Sequence, residues 1–280
     1  MAIIRFRPEI WSALLLASLK KAHVYAGLSN RNYEGEIKAA GDTVRVTSIS
    51  RPIINTYSRN ADISYEELDD AQRTLVVDQE KYWAFSVDDV DAAQAKGSVM
   101  PEAMREAAYG VSDVVDAYVA SFYTQVQSAN QVGTVAVPVA TPTAFYDSIL
   151  VPLGVKLDEA SVPAEGRWAV IPPWLHGRAQ RDDRFVRADA SGSTETLRRG
   201  HIGTAAGFEI YKSNNAPLVT GDDYAVLAGT SDAMTFADQI TKTEAIRSEV
   251  RFADRMRGLY VYGGKVMRPD GLATAVASQT

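Results

Sequence analysis

Between Pro101 and about Ala129, the apolar residues Met104, Ala108, Val111, Val115, Tyr118 and Phe122 recur at alternating spacings of four and three. That rhythm predicts one helix. About 29 residues at ~1.5 Å each make a rod of roughly 43 Å. This is two to three times the usual helix length. Its stripe is that of a core helix or of a coiled coil.

The stretch before it has a different period. From Asp42 to Val87, Val44 and Val46 alternate with Thr43, Arg45 and Thr47. Leu75–Val77 form a short β-rich run, and Trp83, Phe85 and Val87 share one face with Lys81. This predicts a long β-hairpin or flap. It holds few apolar residues for its length, so much of it should project and need a partner surface. Ser86 is placed to cap a short helix, Val87 to about Ala95, with Asp88 and Asp89 in its first turn.

Elsewhere, Trp11, Leu15 and Leu19 predict a helix from Pro8 to about Lys21. Gln131–Thr143, with Gly133, Pro138 and Pro142, reads as a break between two domains. A helix from Ala144 to about Glu159 is interrupted at Pro152 and Gly154. Arg167–Ile171 reads as a buried strand ending at Pro172 and Pro173, and a helix from Pro173 to about Arg187 should carry Arg178, Arg181 and Arg184 on one face. Strands follow at Gly207–Tyr211, Tyr224–Ala228, Met234–Ala237, Ile240–Val250 and Leu259–Met267. Helices and strands are segregated, which favours α+β over a doubly wound fold.

Composition argues against chemistry. The 280 residues include no cysteine, which excludes disulfides, thiol catalysis and cysteine-ligated metals. The three histidines, His23, His176 and His201, are far apart and have no motif partner. Gly258 and Gly263 have phosphate-loop spacing, but Gly264 stands where lysine is required and Val266 replaces the hydroxyl. Gly200, Gly203 and Gly207 lack the dinucleotide-binding spacing. Asp88, Asp89 and Asp91 read as helix-end charge rather than a metal or catalytic set. The arginine face at 178, 181 and 184 lies beside Asp182, Asp183 and Asp189, as in a salt-bridged face or a subunit contact. Arg5, Arg7 and the apolar run Ile10–Leu19 loosely resemble a secretory signal, but Lys20 and Lys21 stand where a cleavage site belongs. That run is too short to span a bilayer. The net charge is −6, unlike a general nucleic-acid binder. It is uneven: residues 1–41 carry six basic and three acidic side chains, and residues 42–91 carry five and eleven.

The order of these parts, together with three local patterns, resembles a known family. The patterns are Gly200-His201-Ile202-Gly203-Thr204-Ala205-Ala206-Gly207-Phe208-Glu209-Ile210-Tyr211-Lys212-Ser213-Asn214-Asn215, Arg257-Gly258-Leu259-Tyr260-Val261-Tyr262-Gly263-Gly264-Lys265-Val266-Met267-Arg268-Pro269, and Trp168-Ala169-Val170-Ile171-Pro172-Pro173 followed by a helix. They are similar to segments of the major capsid proteins of tailed bacteriophages, with the Hong Kong 97-type fold.

The resemblance implies an α+β capsid fold. Residues 1–41 would be an N-terminal arm and 42–87 an extended loop lying over a neighbouring subunit. Residues 88–143 would be a peripheral domain with its spine helix, 144–230 an axial domain, and 231–280 a return to the peripheral domain. It implies a non-enzymatic shell protein with no cofactor and no metal, assembling as pentamers and hexamers. A separate scaffolding protein, a portal protein and packaged double-stranded DNA would be its neighbours, without a membrane, in a virion assembled in the host cytoplasm. Subunit-contact candidates are Glu66, Glu67, Asp69 and Asp70 on the flap, set against Arg105, Arg251, Arg255 and Arg257, with Arg178, Arg181 and Arg184 as further candidates. Arg5 and Arg7 would face DNA. An encapsulin-like nanocompartment shell shares the implied fold. An enzyme or ligand-binding protein of unrecognised type is the alternative from another class, and it predicts a compact monomer or small oligomer.

Overall fold

The computed structural model describes residues 24–31, 43–49, 54, 70–88, 99–182, 203–248 and 253–280. The expected arm helix at 8–21 and the flap tip lie outside these residues.

The rod is real but shorter than the roughly 29 residues expected. Helix α1 spans Val99–Ala120, about 33 Å at ~1.5 Å per residue. A 3-10 turn continues it over Ser121–Gln125. There the Ser121 hydroxyl donates to the Tyr118 carbonyl at 2.6 Å, and Thr124 donates to Ser121 at 3.0 Å. Such back-bonding competes with the helical ladder. Met104, Ala108, Val115, Val119 and Phe122 are buried along one face, as the spacing requires.

That face lies on a three-stranded antiparallel sheet ordered β10-β11-β3, where β3 is Gln79–Asp88, β10 is Met234–Arg247 and β11 is Ala253–Val266. Trp83, Phe236, Met256, Tyr260 and Tyr262 meet the helix in one core. The expected break between Ala237 and Ile240 is instead a register irregularity between Ile240 and Lys242 within one long strand. Strand β3 runs through Asp88, opposite Ala253, so Ser86 does not cap a helix beginning at Val87.

The flap is shorter than the 42–87 expected. Strands β1 (Thr43–Ile49) and β2 (Asp70–Val76) form a two-stranded antiparallel ribbon, in register from Thr43 opposite Val76 to Ile49 opposite Asp70. At its root, Leu75 and Val77 pack with Ala237, Val261 and Met267 on the sheet face away from α1.

The second sheet is mixed, ordered β4-β12-β9-β5-β7-β6 with β8 beside β9. Its strands are β4 (Gln131–Ala136), β5 (Arg167–Ile171), β6 (Thr204–Ala205), β7 (Phe208–Lys212), β8 (Leu218–Thr220), β9 (Asp223–Thr230) and β12 (Leu272–Ser278). Two expectations fall here. The break at 131–143 begins with a strand that pairs parallel to β12. The closing segment 231–280 does not return whole to the first sheet, because β12 joins the second between β4 and β9.

Pro152 and Gly154 do not interrupt their helix. A wide π-helical segment, Phe145–Leu150, runs directly into α2, Val151–Glu159, with Pro152 in the first turn of α2. Proline lacks a donor and crowds the carbonyl four residues back, and a widened turn accommodates both. The third helix, α3, is only Pro173–Ala179.

Strand β5 is buried at all five positions because both its faces are covered. Trp168 and Val170 join the α1 core, while Ala169 and Ile171 join the core under α2 with Phe145, Leu153 and Leu157. The two layers therefore share a strand and are not joined by a simple linker.

Strand β11 also explains its glycines. A Cβ on Gly258 would lie 2.5 Å from the Trp83 ring, and one on Gly263 would lie 2.4 Å from the Val76 carbonyl oxygen. Gly263→Ala is therefore expected to cost about 1–3 kcal/mol through overpacking. For a chain of this size that is a drop in Tm of roughly 2–10 °C. Gly110→Ala, with nothing within 4 Å of its added Cβ, should leave Tm unchanged or raise it slightly. Calorimetry of both variants checks the close approach.

Candidate functional site

The described residues hold no cluster of three or more His, Asp or Glu side chains able to bind a metal. The phosphate-loop look-alike, Gly258–Lys265, lies wholly within strand β11. His176 sits on α3 and interacts within the chain, whereas His23 and His201 lie outside the described residues. What the structure does assemble is a rigid body with projecting and open surfaces.

Its centre is Asp116 on α1. This carboxylate is 3% exposed. Its Oδ1 accepts the backbone N–H groups of Val24 at 3.0 Å and Tyr25 at 2.7 Å. Its Oδ2 accepts the Ser213 hydroxyl and the Asn215 amide, both at 3.1 Å. Ser213 in turn donates its backbone N–H to Ile171 at the end of β5. One side chain thus fastens the long helix to an N-terminal segment and to the loop after β7. A buried carboxylate is tolerable only when so hydrogen-bonded.

The same N-terminal segment is held at its far end. Asn30 bridges to Thr235 of β10. Arg31 Nη2 lies 2.5 Å from Asp238 Oδ1 and its guanidinium stacks over Phe236, while the Tyr260 hydroxyl donates to the other Asp238 oxygen. Between helix and sheet, burial first and the Asp78 charge second push the Tyr118 phenol up to about 12. Burial raises Tyr262 as well. Both rings are structural and stay neutral.

The sequence-derived candidates divide as follows. Arg255 and Arg257 lie exposed on β11, on the face away from α1. Arg257 is engaged by Glu244, its Nε donating at 2.7 Å. Arg255 makes no ion pair among the described residues. Arg105 is exposed on α1 and interacts within the chain. Arg178 is half-buried on α3, and Arg181 is exposed in the turn beyond it. The helix stops at Ala179, so Arg181 does not lie on the helix that carries Arg178. Asp70 opens β2 opposite Ile49. Arg5, Arg7, Glu66, Glu67, Asp69, Arg184 and Arg251, with Asp89, Asp91, Asp183 and Asp189, lie outside the described residues. Asp116 was not among the candidates. Its signal is Ser112 and Asp116, one helical turn apart and both buried amid the apolar stripe.

On the outward face of β10-β11-β3, a shallow groove of about 450 Å³ runs between Tyr82, Ala84, Glu244, Arg257 and Leu259. It carries no convergent acid, base and nucleophile of the kind a catalytic site needs. Residues 53–275 match the family model for phage capsid proteins. The chain belongs to the phage capsid protein family. A solved structure from Mycobacterium phage Che8 is similar over 91% of this chain and 90% of that one, at 31% identity and a TM-score of 0.74. The capsid of the cyanophage P-SCSP1u shares the fold over 87% and 85% of the two chains, at 17% identity and a TM-score of 0.68. A virus-like particle from Pyrococcus furiosus shares it over 95% and 98%, at 12% identity and a TM-score of 0.58. No curated protein matches the chain in sequence. The protein is the major capsid protein of a tailed phage, with the expected α+β capsid fold, and its family is a structural one.

Within this capsid protein, Asp116→Ala would strand four donors in the interior, at a cost of about 3 kcal/mol or more. Asp116→Asn keeps one carbonyl oxygen and should lose less. Thermal denaturation that ranks wild type above Asn above Ala supports the node, and an Ala variant as stable as wild type contradicts it.

Proposed function

We propose that this capsid protein closes into an icosahedral shell of pentamers and hexamers around double-stranded DNA. A separate scaffolding protein and a portal protein serve assembly, which takes place in the host cytoplasm. In this reading residues 1–41 are an arm facing the interior, with Arg5 and Arg7 toward DNA. The ribbon within 42–87 lies over a neighbour. Helix α1 and the three-stranded sheet form the peripheral part, and residues 144–230 the axial part, where Arg178, Arg181 and Arg184 serve contacts around the symmetry axes. The observation that carries the reading is the ribbon: two strands paired only with each other among the described residues, resting on the body at Leu75 and Val77. A two-stranded ribbon is marginal in water and gains its stability from a partner. Membership of the phage capsid family supports a virion shell over a cargo compartment.

Charge adds a contact. Asp62, Glu66, Glu67, Asp69 and Asp70 fall within ten residues that contain no basic side chain. Arg255 is the candidate partner, with Arg251 near it in sequence, because Arg257 and Arg105 already interact within their own chain.

Purified protein, alone and with its scaffold, should give closed shells by negative-stain microscopy. A monomer under every condition contradicts the reading. Reversing Glu66, Glu67, Asp69 and Asp70 to lysine should raise the concentration needed for assembly by up to about fivefold per exposed pair lost. Adding Arg255→Glu should recover part of the loss. Unaltered assembly of the reversed variant rules out the charge contact.

A further inference from the structure

We propose that a polar cleft beside Asp116 receives the guanidinium of an arginine from a second copy of this chain. The proposal rests on the shell reading above and names one contact within it.

The cleft, about 160 Å³, lies where α1, the end of β7 with its following loop, and Val24 meet. Tyr109, Ser112, Asp113 and Asp116 line it from α1. Their spacing of three, one and three puts them on one helical face. Lys212, the last residue of β7, and Asn214 line it from the second segment.

Its polar groups are spent unequally. Asp116 accepts four donors from its own chain and has no lone pair left to offer. Ser112 is the reverse. It is 3% exposed, yet its hydroxyl has no hydrogen-bond partner among the described residues. A serine inside a helix can bond the carbonyl four residues back, and this one does not. A buried hydroxyl left unpaired is costly, so the chain keeps here a group that its own fold does not use. Asp113 and Lys212 are exposed and make no ion pair among the described residues. Tyr109 stands 66% exposed at the same cleft.

Chemistry selects the ligand. Two carboxylates and one ammonium leave a net charge of −1, which matches one monovalent cation. A divalent metal ion needs several free oxygen ligands, and Asp116 supplies none. A guanidinium is flat, carries five N–H donors and stacks on aromatic rings. The Asp113 carboxylate and the Ser112 oxygen would accept from it, with the Tyr109 ring against its face. The chain itself carries the matching group: Arg181 and Arg268 are exposed and make no ion pair among the described residues. In a closed symmetric assembly the neighbours of each body are further copies.

NMR titration of free full-length subunits with ethylguanidinium tests the ligand. The amide signals of Ser112, Asp113 and Asn214 should shift and saturate in the millimolar range, and Asp113→Asn should abolish the response. Ethylammonium should bind more weakly, and equal binding overturns the guanidinium. Assembly of the chain alone tests the source. Asp113→Asn should raise the concentration needed for assembly roughly tenfold, the loss of one charge-assisted contact. Ser112→Ala should weaken assembly severalfold while leaving the subunit Tm unchanged or slightly raised, because no bond within the subunit is lost. A purely structural serine would show the opposite pattern. No saturable shift, or wild-type assembly of both variants, overturns the cleft and leaves the shell reading standing. Dependence on Asp113 only when scaffold is present overturns the second copy as the source. A wild-type chain that never leaves the monomer overturns the shell reading, while the titration on free subunits still decides the cleft.

Discussion

The Asp116 carboxylate ties together parts of the chain that the sequence separates by about a hundred residues. It faces inward from the long helix, and every bond it accepts comes from another segment. The helix alone would be a rod with an apolar stripe. With Asp116 satisfied, it becomes the strut against which the N-terminal segment and the β7 loop are set. Because Ser213 continues the chain of bonds into β5, and β5 belongs to both cores, the strut couples the two sheets into one body.

Function follows from the contrast between this body and what it leaves unfinished. Aromatic packing is dense where α1 crosses β11, with Tyr118 edge-on to both Phe122 and Tyr262. Glycines at 258 and 263 let the Trp83 ring and the ribbon root approach the strand closely. Among the described residues, the same sheet ends in β3 with no further strand beside it, and the ribbon leaves the body with no third strand of its own. A shell subunit needs this combination: a frame stiff enough to transmit geometry, and extensions that are stable only against a neighbour.

Much of the frame was legible in the sequence. The four-and-three spacing located α1, the five-residue apolar run located β5, and the missing cysteines and scattered histidines pointed away from catalysis. Other features were hidden for physical reasons. Period and propensity report local structure, so they could not show that β12 crosses to the second sheet to lie between β4 and β9. They interrupted the helix at Pro152 and Gly154, because a π turn that absorbs the proline has no pattern of its own. They extended the helix after Pro173 too far, since arginines at 178, 181 and 184 keep helical spacing past the point where the helix ends. Asp116 was not among the candidates, because its donors are backbone amides and a distant serine and asparagine. The flap residues Glu66, Glu67 and Asp69 were chosen by charge alone and lie outside the described residues.

A cryo-electron microscopy reconstruction of particles formed by the full chain tests the central claim most directly. The account predicts a closed shell in which the α1–β11 body is the same rigid unit in every subunit. In that shell the ribbon leaves its own body and lies on an adjacent one. A ribbon folded back along its own chain, or a compact oligomer with no shell, would contradict it.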